Sequence, residues 1–379
     1  MSEALPPAGP RATHPARPED AMPPSAPADR VWAEAFRVER RGIDLRAGLG
    51  GAVASCTPLA LGVATGEPAI GVIASFGGLN AALAVPRGVL RERVGWGAGA
   101  SLGCCLSVAV ATAVQGSVAA SVAAAFGLIG LAAFLRTFGP NGGLTGFVVG
   151  AIFVITNGIP AGSLDVAERA LWFGLGSLGG VVLMVAAYAR DAPAPRPGAT
   201  PLRRVLLVGA RELRRAVAGD ALLRAHALRL ASIVAATTLL YRLLELDHGY
   251  WVPLSVLAVL QPSEHATDVR AVQRATGSLI GAAVIALLTI ATGKEWLMIA
   301  GQGIAAFGLF ALFARGYFWL VVLLTPTALL TVSAVDYQGV AVALQRAGWS
   351  ALGIVLGLGI AELCWRLAPH IPRTAPALK

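Results

Sequence analysis

Arg93 and Arg274 each open a long apolar run. Arg169 and Arg346 each start the pattern Arg-Ala-x-Trp-x-x-x-Gly-x-x-x-Gly, as RALWFGLGSLGG and RAGWSALGIVLG. A guanidinium stays charged and presents a planar fork of donors that fits a carboxylate bidentately. Set beside apolar chain, it suits recognition of an organic anion. Two amides, Asn80 and Gln261, and the ring pair Tyr250–Trp251 stand in neighbouring segments. They could orient a polar group and stack an aromatic one. The remaining chemistry is thin. The five histidines (His14, His226, His248, His265, His370) show no metal-ligand spacing, and no Ser-His-Asp order or phosphate loop occurs. Gly174-Leu-Gly-Ser-Leu-Gly179 has the dinucleotide spacing, but it lies inside an apolar run with no strand before it. The residues predict no enzyme, no metal and no cofactor.

Apolar segments must position these side chains, and there are six in each half. They span 47–64, 68–85, 94–114, 118–135, 143–159 and 170–189, then 230–246, 250–262, 276–293, 296–313, 317–335 and 347–367. Most approach the ~20 residues that cross hydrocarbon as a helix. Residues keep step between the halves. Arg46 and Arg229 are 183 apart, Arg93 and Arg274 181, Asn80 and Gln261 181, Arg136 and Arg315 179, and Arg169 and Arg346 177. So smooth a drift predicts an internal duplication.

Composition points to a membrane. Of 379 residues, 56% are hydrophobic and 13% charged, and mean hydropathy is +0.69. A soluble domain carries roughly 25% charged residues, so this chain has too little polar surface to coat itself in water. The net charge of +9 sits in short loops, where it orients a membrane protein rather than binding nucleic acid. Cys56, Cys104, Cys105 and Cys364 fall in apolar runs and read as small hydrophobes. Every alternate loop is basic, which predicts twelve spans with both termini cytoplasmic in a bacterial-type inner (plasma) membrane. An even count per half makes the repeats parallel.

The predicted fold is an all-α polytopic membrane protein with about twelve transmembrane helices in two parallel six-helix repeats. Residues 1–40 form a Pro- and Ala-rich disordered cytoplasmic tail without a signal-peptide core. The first repeat takes 41–190 and the second 226–370, with a short tail at 371–379. Between them, 191–225 is a basic cytoplasmic linker. Its amphipathic helix suits the leaflet surface, or serves as an ordinary basic connection.

Several residues support two readings. The glycine ridges at Gly142/Gly146/Gly150, Gly176/Gly180, Gly277/Gly281 and Gly353/Gly357 let helices approach closely, which is favoured over ligand contact. The second segment of each half is short and interrupted, by Pro68, Gly77-Gly78 and Pro86 in one and by Pro253 and Pro262 in the other. Matching broken segments point to a transporter binding site; otherwise Asn80 and Gln261 cap helix ends. Headgroup snorkelling explains Arg93 and Arg274 as well as anion capture does. Arg169 and Arg346 lie on the other side, where membrane orientation gives no reason for them, so they are outer-mouth candidates. Arg242, late in its segment, is spaced to pair with Glu245 in the next turn.

The run HGYWVPLSVLAVLQPSEHATDVRAVQRATGSLIGAA is similar to the core of the fusaric-acid-resistance-like (FUSC-like) integral membrane transporter domain. That family shows Tyr-Trp before a short helix, Gln/Arg-Pro after it, and Arg-x-x-Gly-Thr/Ser-x-x-Gly opening the next helix. Here these are Tyr250, Trp251, Gln261, Pro262, Arg274, Gly277, Ser278 and Gly281. The resemblance covers roughly 226–367; the first half follows only through the repeat and lacks the Tyr-Trp pair. Aromatic acid exporters and, more distantly, plant aluminium-activated malate channels share this domain type. The resemblance implies secondary transport, commonly export, of small organic anions and aromatic acids. On that expectation the halves enclose a polar path. Asn80 and Gln261 line it, Tyr250 and Trp251 stack on the substrate, and Arg93 and Arg274 attract its carboxylate. The alternatives are a passive organic-anion channel of the same fold and a non-transporting membrane scaffold. The sequence leaves room for an oligomer and carries no feature that supports one.

Overall fold

The computed structural model describes residues 27–39, 42–160, 162–191, 202–292, 295–333 and 340–367. Among these residues all regular structure is helical. The elements are α1 (Pro27–Ala35), α2 (Leu45–Ala64), α3 (Pro68–Ala84), α4 (Leu90–Val114), α5 (Val118–Ala133), α6 (Gly139–Gly158) and α7 (Val166–Ala187). They continue as α8 (Leu202–Gly219), α9 (Ala221–Leu243), α10 (Trp251–Val259), α11 (Glu264–Thr292), α12 (Glu295–Leu312), α13 (Tyr317–Val332) and α14 (Val340–Leu367). Short 3-10 turns occupy Phe134–Phe138, Ala189–Asp191 and Phe313–Arg315.

Each apolar segment of the sequence is one helix, α2–α7 and α9–α14. Seven stretches are long and apolar enough to cross a membrane: Leu45–Ala64, Leu90–Val114, Val118–Gly158, Val166–Ala187, Ala221–Leu243, Trp296–Arg315 and Leu344–Arg366. The chain is a helical membrane protein with several spans. The apolar helices α3 and α13 are shorter, at 17 and 16 residues. With 9 residues, α10 is about 14 Å long, roughly half the hydrocarbon thickness.

The short helices lie innermost. Burial is unbroken over Gly71–Ala84 in α3, Trp251–Val259 in α10 and Thr325–Val332 in α13, and over Val148–Asn157 in α6. Their sequences are apolar all round, so no face prefers water. The longer helices wrap them and turn Leu102, Leu106, Leu171, Leu178, Leu279 and Leu287 outward, where lipid is a natural neighbour. Close approach is bought with glycine. A Cβ on Gly176 or Gly180 of α7 would collide with the Ala74 or Gly78 carbonyl of α3.

Packing is reciprocal about the middle of the chain. Helix α2 lies on α12, and α5 on α9. Likewise α4 packs on α6 and α7, as α11 does on α13 and α14. Alternate loops meet at the same end. Asp44 bonds Arg87 at 2.7 Å and its N–H donates to the Ala311 carbonyl at 3.0 Å; this is the basic end. At the opposite end, the Trp349 indole donates to the Asp247 carbonyl at 2.9 Å.

Three expectations need correction. The tail expected to be disordered over 1–40 contains α1. That helix docks on α11 because Ala35 is buried, Gln273 donates to the Ala35 carbonyl at 3.0 Å, and Glu34 meets His265 at 2.7 Å. Helix α11 starts 12 residues before the apolar run at 276, so Arg274 lies well inside a helix. Arg242 does not pair with Glu245. Helix α9 ends at Leu243, Glu245 turns away with φ of 48°, and Arg242 donates to the Gln115 carbonyl instead. The linker carries α8, with Arg211, Arg214 and Arg215 exposed. Residues 1–26, 192–201 and 368–379 lie outside the described residues.

Candidate functional site

A cavity of about 710 Å³ opens at the end opposite the basic loops. Its lining includes Ala69 and Ile73 of α3, Ile159 after α6, Arg169 of α7, Tyr241 of α9 and Tyr250 before α10. Glu245 and Asp247 are exposed in its lining, and Arg242 is half-buried there.

Arg169 is held by its helix start. Asp165 accepts the Glu168 N–H at 2.8 Å, and Glu168 accepts the Asp165 N–H at 3.0 Å. This capping box fixes the first turn of α7 and therefore where Arg169 points. The side chain is 1% exposed. One terminal nitrogen donates to Thr112 Oγ1 and the other to the Ile159 carbonyl, both at 3.4 Å. Its Nε has no partner, and no carboxylate balances its charge among the described residues.

Behind Arg169 lies a polar network that sequence reasoning missed. Buried Asn157 donates to the Ala111 carbonyl at 3.3 Å and to Ser121 Oγ at 3.0 Å, and accepts from the Tyr241 hydroxyl at 3.2 Å. Gln115 donates to the Ile159 carbonyl at 2.7 Å and the Asn157 carbonyl at 3.1 Å. The network ties α4, α5, α6 and α9 together and satisfies the end of α6, which hydrocarbon cannot do. The signal was available: Asn157 is a lone amide in an otherwise apolar segment.

Tyr250 packs its ring against the Cα of Gly158, where a Cβ would collide with it. The ring lies 4.8 Å from that of Trp251. Trp251 is 1% exposed and is not part of the cavity lining. Its face is covered by Arg346, whose guanidinium carbon is 3.6 Å from the ring centroid. Arg346 also donates to Thr325 Oγ1 at 3.4 Å. The two outer-mouth candidates therefore differ: Arg169 lines the cavity and Arg346 is stacked away behind it.

The other four candidates sit toward the basic end and do not line the cavity. Helix α10 stops at Val259 and leaves carbonyls to be satisfied. The Tyr317 hydroxyl donates to Ala258 O at 3.5 Å, Gln261 Nε2 to Leu260 O at 3.0 Å, and Arg229 to Gln261 O at 2.9 Å. Arg136 donates to Gln261 Oε1 at 2.9 Å. Asn80 differs from Gln261. It is still inside α3 and turns its amide onto the Phe76 carbonyl at 2.8 Å. Arg93, also buried, lies 5.6 Å from the Tyr188 ring centroid. Arg274 is buried beside Tyr317.

Residues 234–360, from within α9 to within α14, match the family described as fusaric acid resistance protein-like. Over 80 residues the chain is 40% identical to an uncharacterized protein, ORF2, of Neisseria gonorrhoeae, a match covering 20% of this chain and 19% of that protein. The chain thus matches about a fifth of that relative's length. No solved structure matches.

Proposed function

We propose that the chain is a multi-pass inner-membrane transporter that exports small organic anions, aromatic carboxylates foremost. One observation carries this reading: buried Arg169, with a partnerless Nε, faces a cavity of about 710 Å³ walled largely by apolar and aromatic groups. Sites for small molecules typically occupy ~300–1,000 Å³. A buried guanidinium without a counter-ion costs several kcal/mol, and an incoming carboxylate offsets that cost. Tyr241, Tyr250 and Ile73 suit the ring such a carboxylate carries.

The architecture behind this reading is two parallel six-helix repeats of about twelve spans, with the basic end in the cytoplasm. Its support is the recurring element order and the reciprocal packing of α2 on α12 and α5 on α9. At the offset of 181 that relates Asn80 to Gln261, Tyr250 and Trp251 correspond to Ala69 and Ile70. The second half fills the space over Arg346 with Trp251. The first half has no ring at either position, and Arg169 is left facing open space. Asn80, Arg93, Gln261 and Arg274 then belong to the inner end of the path.

Efflux of an aromatic carboxylate from cells making Arg169→Gln tests the proposal. The expected result is at least a roughly tenfold loss at equal membrane abundance, about 1.4 kcal/mol or more. Wild-type efflux from the variant would remove Arg169, and with it the cavity, from the mechanism.

Uncoupled passage is the second reading. Among the described residues no Asp or Glu is buried, whereas carriers that relay protons place carboxylates inside the membrane. Anion current in a bilayer, with flux unaffected by a protonophore, selects the channel.

A further inference from the structure

Away from the cavity, the basic end gathers four guanidiniums from three elements. Arg136 comes from the Phe134–Phe138 turn, Arg229 from α9, and Arg270 and Arg274 from one face of α11, a helical turn apart. Arg136 and Arg229 both bond Gln261, at 2.9 Å each. Arg136 and Arg270 lie close enough for their charges to repel. Arg270 and Arg274 share Tyr317, whose ring centroid is 3.6 Å from the Arg270 guanidinium carbon. Rings cover a face of two of these groups, Tyr317 on Arg270 and Trp365 on Arg229 at 4.7 Å, leaving edge N–H groups to find partners.

Several of those partners are missing. Arg229 Nε, Arg270 NH1 and Arg274 Nε have no hydrogen bond, and both ring nitrogens of His226, which lies beside Arg136 and Arg229, are equally bare. His226 and Arg274 are 1% and 2% exposed. None of the four arginines is in an ion pair among the described residues. Asp268, on the same helix, is under the influence of Glu264, His265 and Glu362 instead. The C-terminus of α10 supplies roughly −0.5 of a charge. Set against four positive charges, that leaves most of the cluster uncompensated. One planar carboxylate engages one fork. Four guanidiniums gathered around Gln261 and Tyr317 match an oxyanion that carries more charge and offers acceptors in several directions.

We infer that Arg136, Arg229, Arg270 and Arg274 form a second anion site, separate from the cavity, for a phosphate group that is either free or carried by a lipid headgroup. Arg229 and Arg274 make its buried floor, and half-buried Arg136 and Arg270 its rim.

The test uses the purified full chain in non-ionic detergent. Inorganic phosphate is titrated at constant ionic strength against chloride, with radiolabelled phosphate binding and unfolding temperature as readouts. Native mass spectrometry reads any phospholipid that stays bound. The wild type is expected to bind phosphate saturably, or to retain a phospholipid that phosphate displaces. The first result identifies a free phosphate and the second a headgroup. The rim variant Arg136→Gln/Arg270→Gln is expected to weaken either at least tenfold. Phosphate binding and phospholipid retention that are both unchanged in this variant would overturn the assignment. If the double variant cannot be recovered folded, Arg270→Lys keeps the charge and loses the fork. It should bind several-fold more weakly, and equal binding would again overturn the site. Arg169→Gln separates this inference from the transport proposal, since it should leave phosphate binding at the wild-type level.

Discussion

Arg346 holds its guanidinium 3.6 Å from the ring centroid of Trp251, and neither side chain reaches the cavity. A charge inside an apolar bundle needs compensation, and here an aromatic face supplies part of it. The tryptophan is thus both packing and counter-charge.

Trp251→Ala should therefore cost more than its volume. Removing a large buried ring destabilises by about 3–5 kcal/mol, and Arg346 loses its platform as well. Thermal unfolding in detergent should show Trp251→Phe close to wild type and Trp251→Ala far below it. A double-mutant cycle with Arg346→Gln should return a coupling of roughly 1–2 kcal/mol. Additive effects would mean that the stacking contributes nothing.

Gly158 is a test of the cavity's shape. A side chain there would collide with the Tyr250 ring and push it into the space proposed for substrate. Gly158→Val should weaken binding of an aromatic carboxylate about tenfold or more, read by isothermal titration. Adding Tyr250→Ala should recover part of the loss by giving back the room. Unaltered affinity in Gly158→Val would show that substrate does not occupy this cavity.

Asp44 makes stability depend on pH at the basic end. Burial alone would raise its pKa, but the Ala47 N–H and the Arg87 guanidinium together hold it below the usual carboxylate value. A carboxylate depressed in the fold stabilises it above the unfolded value of about 3.9, and that contribution drains away as pH falls through the lower folded value. The wild type should unfold at a higher temperature than Asp44→Asn near neutral pH. The gap should close as pH drops below about 4. A gap independent of pH would assign Asp44 a purely steric role.

Much of this was legible in residue order. Hydrophobic runs marked each of the twelve helices α2–α7 and α9–α14 to within a few residues at most ends. The exceptions lie where a helix continues beyond its apolar stretch. The first turns of α11 are polar but favour helix, so hydropathy alone placed its start too late. Arg169 stood out because orientation did not account for it. Gln115, Asn157 and Tyr241 were not assembled beforehand, because each is a single polar group in a different segment and only the packing brings them together. The division of the eight candidates was equally hidden: Arg169 and Tyr250 line the cavity, Trp251 and Arg346 stack outside it, and the other four sit toward the basic end. It depends on α10 being so short that Trp251 and Gln261 fall at its opposite ends.

The crossed packing of α2 on α12 bears on how the chain is made. Cys56 meets the Ile299 carbonyl across 243 residues, so α2 finds this partner only after the intervening helices α3–α11 have been made. Until then its inward face has to be sheltered by lipid or by insertion machinery. Two separately synthesised halves would each carry two helices without their partners, α2 and α5 in one and α9 and α12 in the other, and should become stable only when they are made together.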